Sequence, residues 1–194
     1  STVISKPVNG RGGRGLYVFE GNDNPPLWLG SGQREKRIKK QDLTEELLRL
    51  IIQDDCLVMP ALTTPSYDAD VVSAAGDVKL VVVRERINPA GIPFQGNKIH
   101  SDMSITQYCH DIATALNLDS IHDIDLMTDQ NGDPCVIEVN PRPSGSIAAT
   151  LTAGIPAVDI AILTLCGMTI PDVRIGSDIM ILPSNNGGME IVYE

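Results

Sequence analysis

The sequence predicts an α+β fold in which short strands meet as hairpins and a few amphipathic helices cover them. Three observations carry that expectation. The β-rich runs 67–73 and 78–86 flank a turn at Ala75-Gly76-Asp77. A second pair of strands meets at Asn131-Gly132, the preferred centre of a two-residue type I′ turn. Ile105, Tyr108, Cys109, Ile112, Ala113 and Leu116 recur with helical spacing and make one apolar stripe along residues 104–116, with His110 off the stripe.

In chain order, residues 2–6 read as a strand that Pro7 ends. Gly10-Arg11-Gly12-Gly13-Arg14-Gly15 follows, and then a second strand over 16–20. Gly10, Gly12 and Gly15 satisfy GxGxxG, but a dinucleotide fingerprint needs a helix after the glycines, and here a strand follows. A glycine loop between strands can lie over phosphates with its bare N–H groups turned to the oxygens. Lys6, on the preceding strand, would supply a point charge. A flexible surface hairpin is the alternative. A protein kinase combines a glycine loop and a lysine in a similar way, but the chain has no HRD or DFG sequence.

Residues 21–32 read as loop, and the charged run 34–40 reads as a solvated face. Asp42-Leu43-Thr44-Glu45 has the form of a capping box with Asp42 as N-cap, opening a helix to about Ile52 with the stripe Leu43, Leu47, Leu48, Ile51 and Ile52. Residues 56–59 read as a short buried strand stopped by Pro60. Met59-Pro60-Ala61-Leu62 is either a hinge whose backbone groups face a nucleotide base or a plain connector. Arg84 and Arg86 share a strand face, as an anion clamp or as solvated arginines. Residues 88–97 are a loop. Helices are expected over 146–152, closed at Ala153-Gly154, and from Pro156 to about Cys166. A last strand over 178–182 precedes a hairpin signal at Asn185-Asn186-Gly187-Gly188.

The strongest chemical signal is the stretch 135–154, CVIEVNPRPSGSIAATLTAG. On a strand, Glu138 and Asn140 project from one face about 7 Å apart, with Arg142 just beyond. If Asn131 and Gly132 form the loop, Asp129 faces Pro134 and Asp125 falls opposite Glu138 in a non-hydrogen-bonded pair, where side chains are closest. Two facing carboxylates destabilise a sheet unless something neutralises them. A hard divalent cation held by Asp125, Glu138, Asn140 and bound phosphates would do so. The alternative is a wider loop, a shifted register and a solvated Asp125.

Composition narrows the function classes. The chain has 194 residues, 42% hydrophobic and 21% charged, with a mean hydropathy of +0.01, as expected of a globule of one domain or two lobes. No apolar run is long enough to span a bilayer, and the first residues lack the form of a signal peptide. Cys56, Cys109, Cys135 and Cys166 are widely spaced without a CxxC, which argues against a zinc site and for a reducing, cytoplasmic compartment. A net charge of −10 argues against general nucleic-acid binding. The charge is uneven: residues 1–40 are basic and the rest acidic, which suits phosphates at the front and metal cations behind.

From Lys6 to about Thr169 the chain resembles the ATP-grasp superfamily. KPVNGRGGRG resembles its nucleotide lysine and phosphate-covering loop, VMPALTTPSYDADVV its hinge and the first strand of the second lobe. IEVNPRPSGS followed by AGIP and a helix is the most specific part. Among its members, the carbamoyl-phosphate synthetase large-subunit domains look most similar. The resemblance implies two α+β lobes whose antiparallel sheets clasp ATP, with residues 1–58 an incomplete first lobe and 59–194 the second.

It also implies a ligase that activates a small-molecule carboxylate as an acyl phosphate for attack by an amine or other nucleophile. Lys6, Gly10, Gly12, Gly13 and Gly15 would hold ATP phosphates, and Met59 and Leu62 the adenine. Asp125, Glu138 and Asn140 would hold Mg2+, for which Mn2+ could substitute. Arg142, and secondarily Arg84, would stabilise the transferring phosphoryl group. Pro60, Ser66, Asp125 and Gly145 depart from the pattern of relatives and weaken the specifically carbamoyl-phosphate reading. Because Lys6 stands almost first, the chain is expected to be the C-terminal portion of such an enzyme. A second copy is expected to cover the first-lobe sheet as a homodimer. The rival reading is a nucleotide-binding module without ligase chemistry, dependent on a partner.

Overall fold

The computed structural model describes residues 2–9, 15–21, 35–52, 55–88, 95–176 and 178–192. They form two compact units, Ser1–Thr64 and Pro65–Glu194. Gly10, Gly12 and Gly13 of the expected phosphate loop, and most of the loop 88–97, lie outside the described residues. No helix among the described residues is long and apolar enough to cross a membrane.

The first unit contains β1 (Val3–Pro7), β2 (Leu16–Glu20), β3 (Glu35–Lys39), α1 (Glu45–Ile52) and β4 (Cys56–Pro60), in a sheet of order β3-β2-β1-β4. β1 pairs antiparallel with β2 and β4, whereas β2 and β3 run parallel. The run read as a solvated face is thus a sheet edge. Its charges suit that place, because charged side chains discourage further strand pairing, and Arg37 bonds Glu20 at 3.1 Å. The expected division at residues 58/59 falls within β4.

β4 is also an edge strand, not a buried one: Leu57 and Val58 are 52% and 65% exposed. Ile4, Val18 and Met59 pack on one face of this sheet, and Lys6 shares their side by alternation. On the other face, Leu48 and Ile51 of α1 line a cavity together with Val3, Ser5, Phe19 and Val58. The cap of α1 differs from the capping-box expectation. Thr44 Oγ1 accepts from Leu47 N at 3.1 Å, and Asp42 instead ends a 3-10 turn over Lys40–Asp42. Thr44 stands immediately before the first helical residue, so its hydroxyl reaches the orphan N–H groups that Asp42 stands too far back to serve.

The second unit is built on β5 (Thr63–Ala74), β6 (Asp77–Arg86), β7 (Asn97–His100), α2 (Met103–Ala115), β8 (Ser120–Thr128), β9 (Pro134–Asn140), α3 (Ile147–Thr152), α4 (Ala157–Leu165), β10 (Met180–Pro183) and β11 (Met189–Val192). Its seven-stranded sheet has the order β11-β10-β7-β6-β5-β8-β9. One face buries Ala69, Val71, Val83, Ile124 and Leu126 under Ile105, Cys109 and Ala113 of α2. The other buries Val72, Val82, Ile99 and Ile181 under Ala149 of α3 and Ile160 of α4. The helices fall where the apolar periodicity puts them, α2 being capped by Asp102, whose carboxylate accepts from Ser104 N at 2.7 Å. The α+β class and the predominance of antiparallel pairing are as the sequence predicts.

The β5–β6 turn is Ala75-Gly76, with φ of 47° and 79°, the positive pair a type I′ turn needs. The β8–β9 turn departs from expectation. Gly132 has φ 89° but Asn131 is not in the positive region, and Gly132 N bonds Asp129 O at 3.2 Å while Asp129 N bonds Asp133 O at 2.9 Å. This is a three-residue loop closed by a glycine bulge, stabilised by the Asp129 carboxylate, which accepts from Asn131 N and Asp133 N at 2.8 and 3.0 Å. Pro134 accordingly faces Thr128, not Asp129. A second irregularity, between Asp125 and Leu126, restores the register, so Asp125 still faces Glu138. The β10–β11 loop repeats the design, with Gly187 at φ 79°.

This turn geometry predicts an asymmetry between its two central residues. Gly132→Ala should cost about 1–2 kcal/mol, because an L side chain resists positive φ even where space is open, whereas Asn131→Ala should cost well under that. Urea unfolding of both variants checks it; equal penalties would indicate a type I′ turn.

Candidate active site

The acidic end of the second unit lies on the sheet face that α3 and α4 cover further along. Alternation puts Asp68 and Asp70 of β5, Arg84 and Arg86 of β6, and Asp123 and Asp125 of β8 on that face, since Val72 and Val82 of the same strands belong to its apolar core. Six charged groups thus continue an apolar patch, in a region where unpaired charge is costly.

They pair in two tiers. Arg86 Nε bonds both oxygens of Asp68 at 3.0 Å, and Arg86 Nη2 bonds Asp68 Oδ1 and reaches Asp125 Oδ1 at 2.7 Å. Arg84 is fully buried. Its Nη2 stands 3.1 Å from Asp70 Oδ2, at ion-pair distance but without hydrogen-bond alignment. Arg84 Nη1 donates to Ser146 O at 3.1 Å and to Ser146 Oγ. Thr150 Oγ1 donates to Asp70 Oδ2 at 2.5 Å, and the hydroxyls of Ser144 and Ser146 lie 3.0 Å apart. The PRPSGS loop is therefore pinned to the sheet through Ser146.

Asp123 and Asp125 stand at the outer edge of this lattice. Asp123 Oδ2 accepts from Arg142 Nη1 at 3.2 Å and Asn140 Nδ2 at 3.4 Å, while its buried Oδ1 has no hydrogen-bond partner. Asp68, Asp123 and Asp125 each offer one oxygen within 4.8 Å of the others. Burial, reinforced by the neighbouring Asp68 and Asp70, pushes the Asp123 carboxyl up to about 6. Burial and a hydrogen bond shared with Asp68 raise Asp125, against the pull of Arg86. Burial also acts to raise Asp68, but the bonds and charge of Arg86 outweigh it and hold Asp68 below the usual carboxylate range. Asp70 is raised, because burial exceeds the help it receives from Arg84 and Thr150.

The structure sets Asn140 and Arg142 against Asp123, beside Asp125, and pairs Asp125 with an exposed Glu138 across the β8–β9 ladder, although Glu138 is not among the carboxylates whose oxygens converge. Arg84 is not positioned as a catalytic side chain: it is sealed from solvent, and its guanidinium faces Asp70 and Ser146. Arg86 is likewise tied to two carboxylates, which removes the anion-clamp reading for both arginines. In the first unit Lys6 lies opposite Leu57 in the β1–β4 register and Met59 opposite Ile4; Leu62 is buried just beyond β4, and Gly15, at φ 76°, immediately precedes β2. The sequence reading missed Asp68 and Asp123. Their signal is the D-x-D alternation at 68–70 and 123–125, which sets two carboxylates on one face of each strand.

Raised carboxyl groups tie stability to pH in one direction. The protonated form of Asp123 is favoured by the fold, so its stabilisation is complete below about pH 4 and is lost as pH rises through about 6. Without divalent cations, Asp123→Asn should therefore melt a few degrees above wild type at pH 8 and converge with it near pH 4. Thermal melts at the two pH values check this; a difference independent of pH would contradict it.

Residues 53–183 match the family model described as ATP-grasp in the biosynthetic pathway with Ter operon. No curated protein matches the chain in sequence. Among solved structures, N5-carboxyaminoimidazole synthetase from Staphylococcus aureus, complexed with ADP, is similar at TM-score 0.64 and 16% identity, over 94% of this chain and 46% of that one. Biotin carboxylase from Campylobacter jejuni, in a β-γ-ATP complex, is similar at TM-score 0.60 and 17% identity, over 94% and 42%. L-amino acid ligase from Bacillus licheniformis is similar at TM-score 0.58 and 17% identity, over 93% and 43%. The chain spans less than half the length of each of these proteins, and at such identities the likeness is one of fold. The family match covers most of the chain, and the protein belongs to the ATP-grasp family found in the biosynthetic pathway with Ter operon.

Proposed function

We propose that this chain is the ATP- and magnesium-binding region of a carbon–nitrogen ligase that activates a carboxylate as an acyl phosphate. The observation that carries the reading is that Asn140 and Arg142 both bond Asp123 at the end of the β8–β9 ladder, where Asp125 faces Glu138. The donor set fits a hard divalent cation. It consists of oxygens, from two carboxylates and one amide on the paired strands β8 and β9. Asp125, Glu138 and the Asn140 amide oxygen would hold Mg2+, which supplies neutralisation of phosphate charge.

In this reading the substrate carboxylate takes the γ-phosphoryl group of ATP, releasing ADP; an amine then displaces phosphate from the acyl carbon. Arg142, half exposed and bonded to Asp123 through Nη1, would meet charge developing on the transferring group with its remaining N–H groups. Lys6 and the glycine loop 10–15 would bind the nucleotide phosphates, and backbone groups near Met59 and Leu62 the adenine. The ADP and β-γ-ATP complexes of the similar synthetase and carboxylase support a nucleotide as ligand. The finer, carbamoyl-phosphate-synthetase-like reading rests on the 138–146 run alone, with Asp125 and Gly145 departing from it. A reducing, cytoplasmic setting and a homodimer belong to the same proposal.

Calorimetric titration with Mg–ATP tests it. The wild type should bind, and Glu138→Gln and Asp125→Asn should each weaken binding at least about tenfold. Unchanged affinity in both variants would remove the site.

A further inference from the structure

The nucleotide reading uses Asp125, Glu138 and Asn140 and leaves Asp68 and Asp123 unexplained. Asp123 is not an ordinary ion-pair partner. Arg84 stands against Asp70 and Arg86 grips Asp68 through two nitrogens, so these two guanidiniums balance two of the four carboxylates. With both ionised, Asp123 and Asp125 would add an excess of two negative charges. Asp125 shares Arg86 Nη2 with Asp68, and Asp123 meets the neutral Asn140 amide and the rim residue Arg142, whose side chain is 55% exposed. Charge near solvent compensates a buried anion weakly.

Two further observations point to a ligand. The Asp123 side chain is 4% exposed, yet its Oδ1 accepts no hydrogen bond, a costly state for an anionic oxygen. Oxygens of Asp68, Asp123 and Asp125 also converge to within 4.8 Å of one another, from two adjacent strands held by the sheet. A cation of charge two would cancel the excess, and an all-oxygen set suits Mg2+, Mn2+ or Ca2+.

We propose that Asp68, Asp123 and Asp125 hold one divalent cation in the absence of nucleotide, at a site that does not use Glu138. Magnesium carried by nucleotides is typically met by one or two carboxylates plus phosphate oxygens. Three protein carboxylates, two of them buried, need no phosphate to complete their charge. Asp125 is the one residue common to this site and the nucleotide-linked set, so the preloaded ion would fix its carboxylate before ATP arrives. The site stands whether or not ATP is the substrate.

Titration of the apo chain with Mn2+ alone, following free Mn2+ by electron paramagnetic resonance, decides it. One ion should bind per chain without nucleotide. Asp123→Asn, and independently Asp68→Asn, should weaken binding at least about tenfold, while Glu138→Gln should stay within about threefold of wild type. No Mn2+ binding by the wild type, or a loss in Glu138→Gln equal to that in Asp123→Asn, would overturn the proposal. Mn2+ binding without any Mg–ATP binding would count against the ligase reading and leave this site standing.

Discussion

The forked grip of Arg86 on Asp68 and Asp125 is the constraint on which the rest of the site depends. It joins β6, β5 and β8 through one guanidinium, using the planar geometry that only arginine offers. Burying each such charge costs several kcal/mol, roughly repaid only when geometry is good and partners are complete. Removing one partner of a buried pair typically costs about 3–5 kcal/mol, so this end of the sheet is held together conditionally. An apolar replacement would pack as well or better. The charged lattice makes physical sense as a way to set carboxylates at fixed spacing beside a solvent-facing rim.

Arg84 has the corresponding role in the deeper tier. Through Ser146 it ties the loop that follows β9 to the sheet, and through Asp70 it meets Thr150 within α3. Arg142 leaves the same loop four residues before Ser146, so these buried contacts anchor the backbone from which it projects. The apolar core continues on the same face, where Val72, Val82 and Ile160 pack, and gives the polar end a rigid base. Order in the site is thus imposed from below, by packing, and from behind, by ion pairs.

How much of this was legible in the sequence depended on the range of the interaction. The Ala75-Gly76 turn and the helices around Ile105 and Ile160 are local features, and periodicity reads them well. The pairing of Asp125 with Glu138 was read correctly for an incomplete reason. The loop at Asn131-Gly132 is one residue wider than assumed, and a bulge near Asp125 cancels the shift. Asp42 lost the cap to Thr44, and β4 turned out exposed, because only the sheet order shows which strand is an edge. Asp68 and Asp123 were missed for a similar reason. A D-x-D strand reads as a solvated face until its neighbour is known to carry Arg84 and Arg86, and that adjacency is not local.

The most direct measurement is the Mg–ATP affinity of Arg86→Lys. Lysine keeps the charge and loses the fork, so it cannot bond Asp68 twice while also reaching Asp125. If the guanidinium fixes the carboxylates, the variant should stay folded by circular dichroism and bind Mg–ATP at least about tenfold more weakly. A folded Arg86→Lys protein that binds Mg–ATP as tightly as wild type would show that charge alone suffices, and would contradict the account.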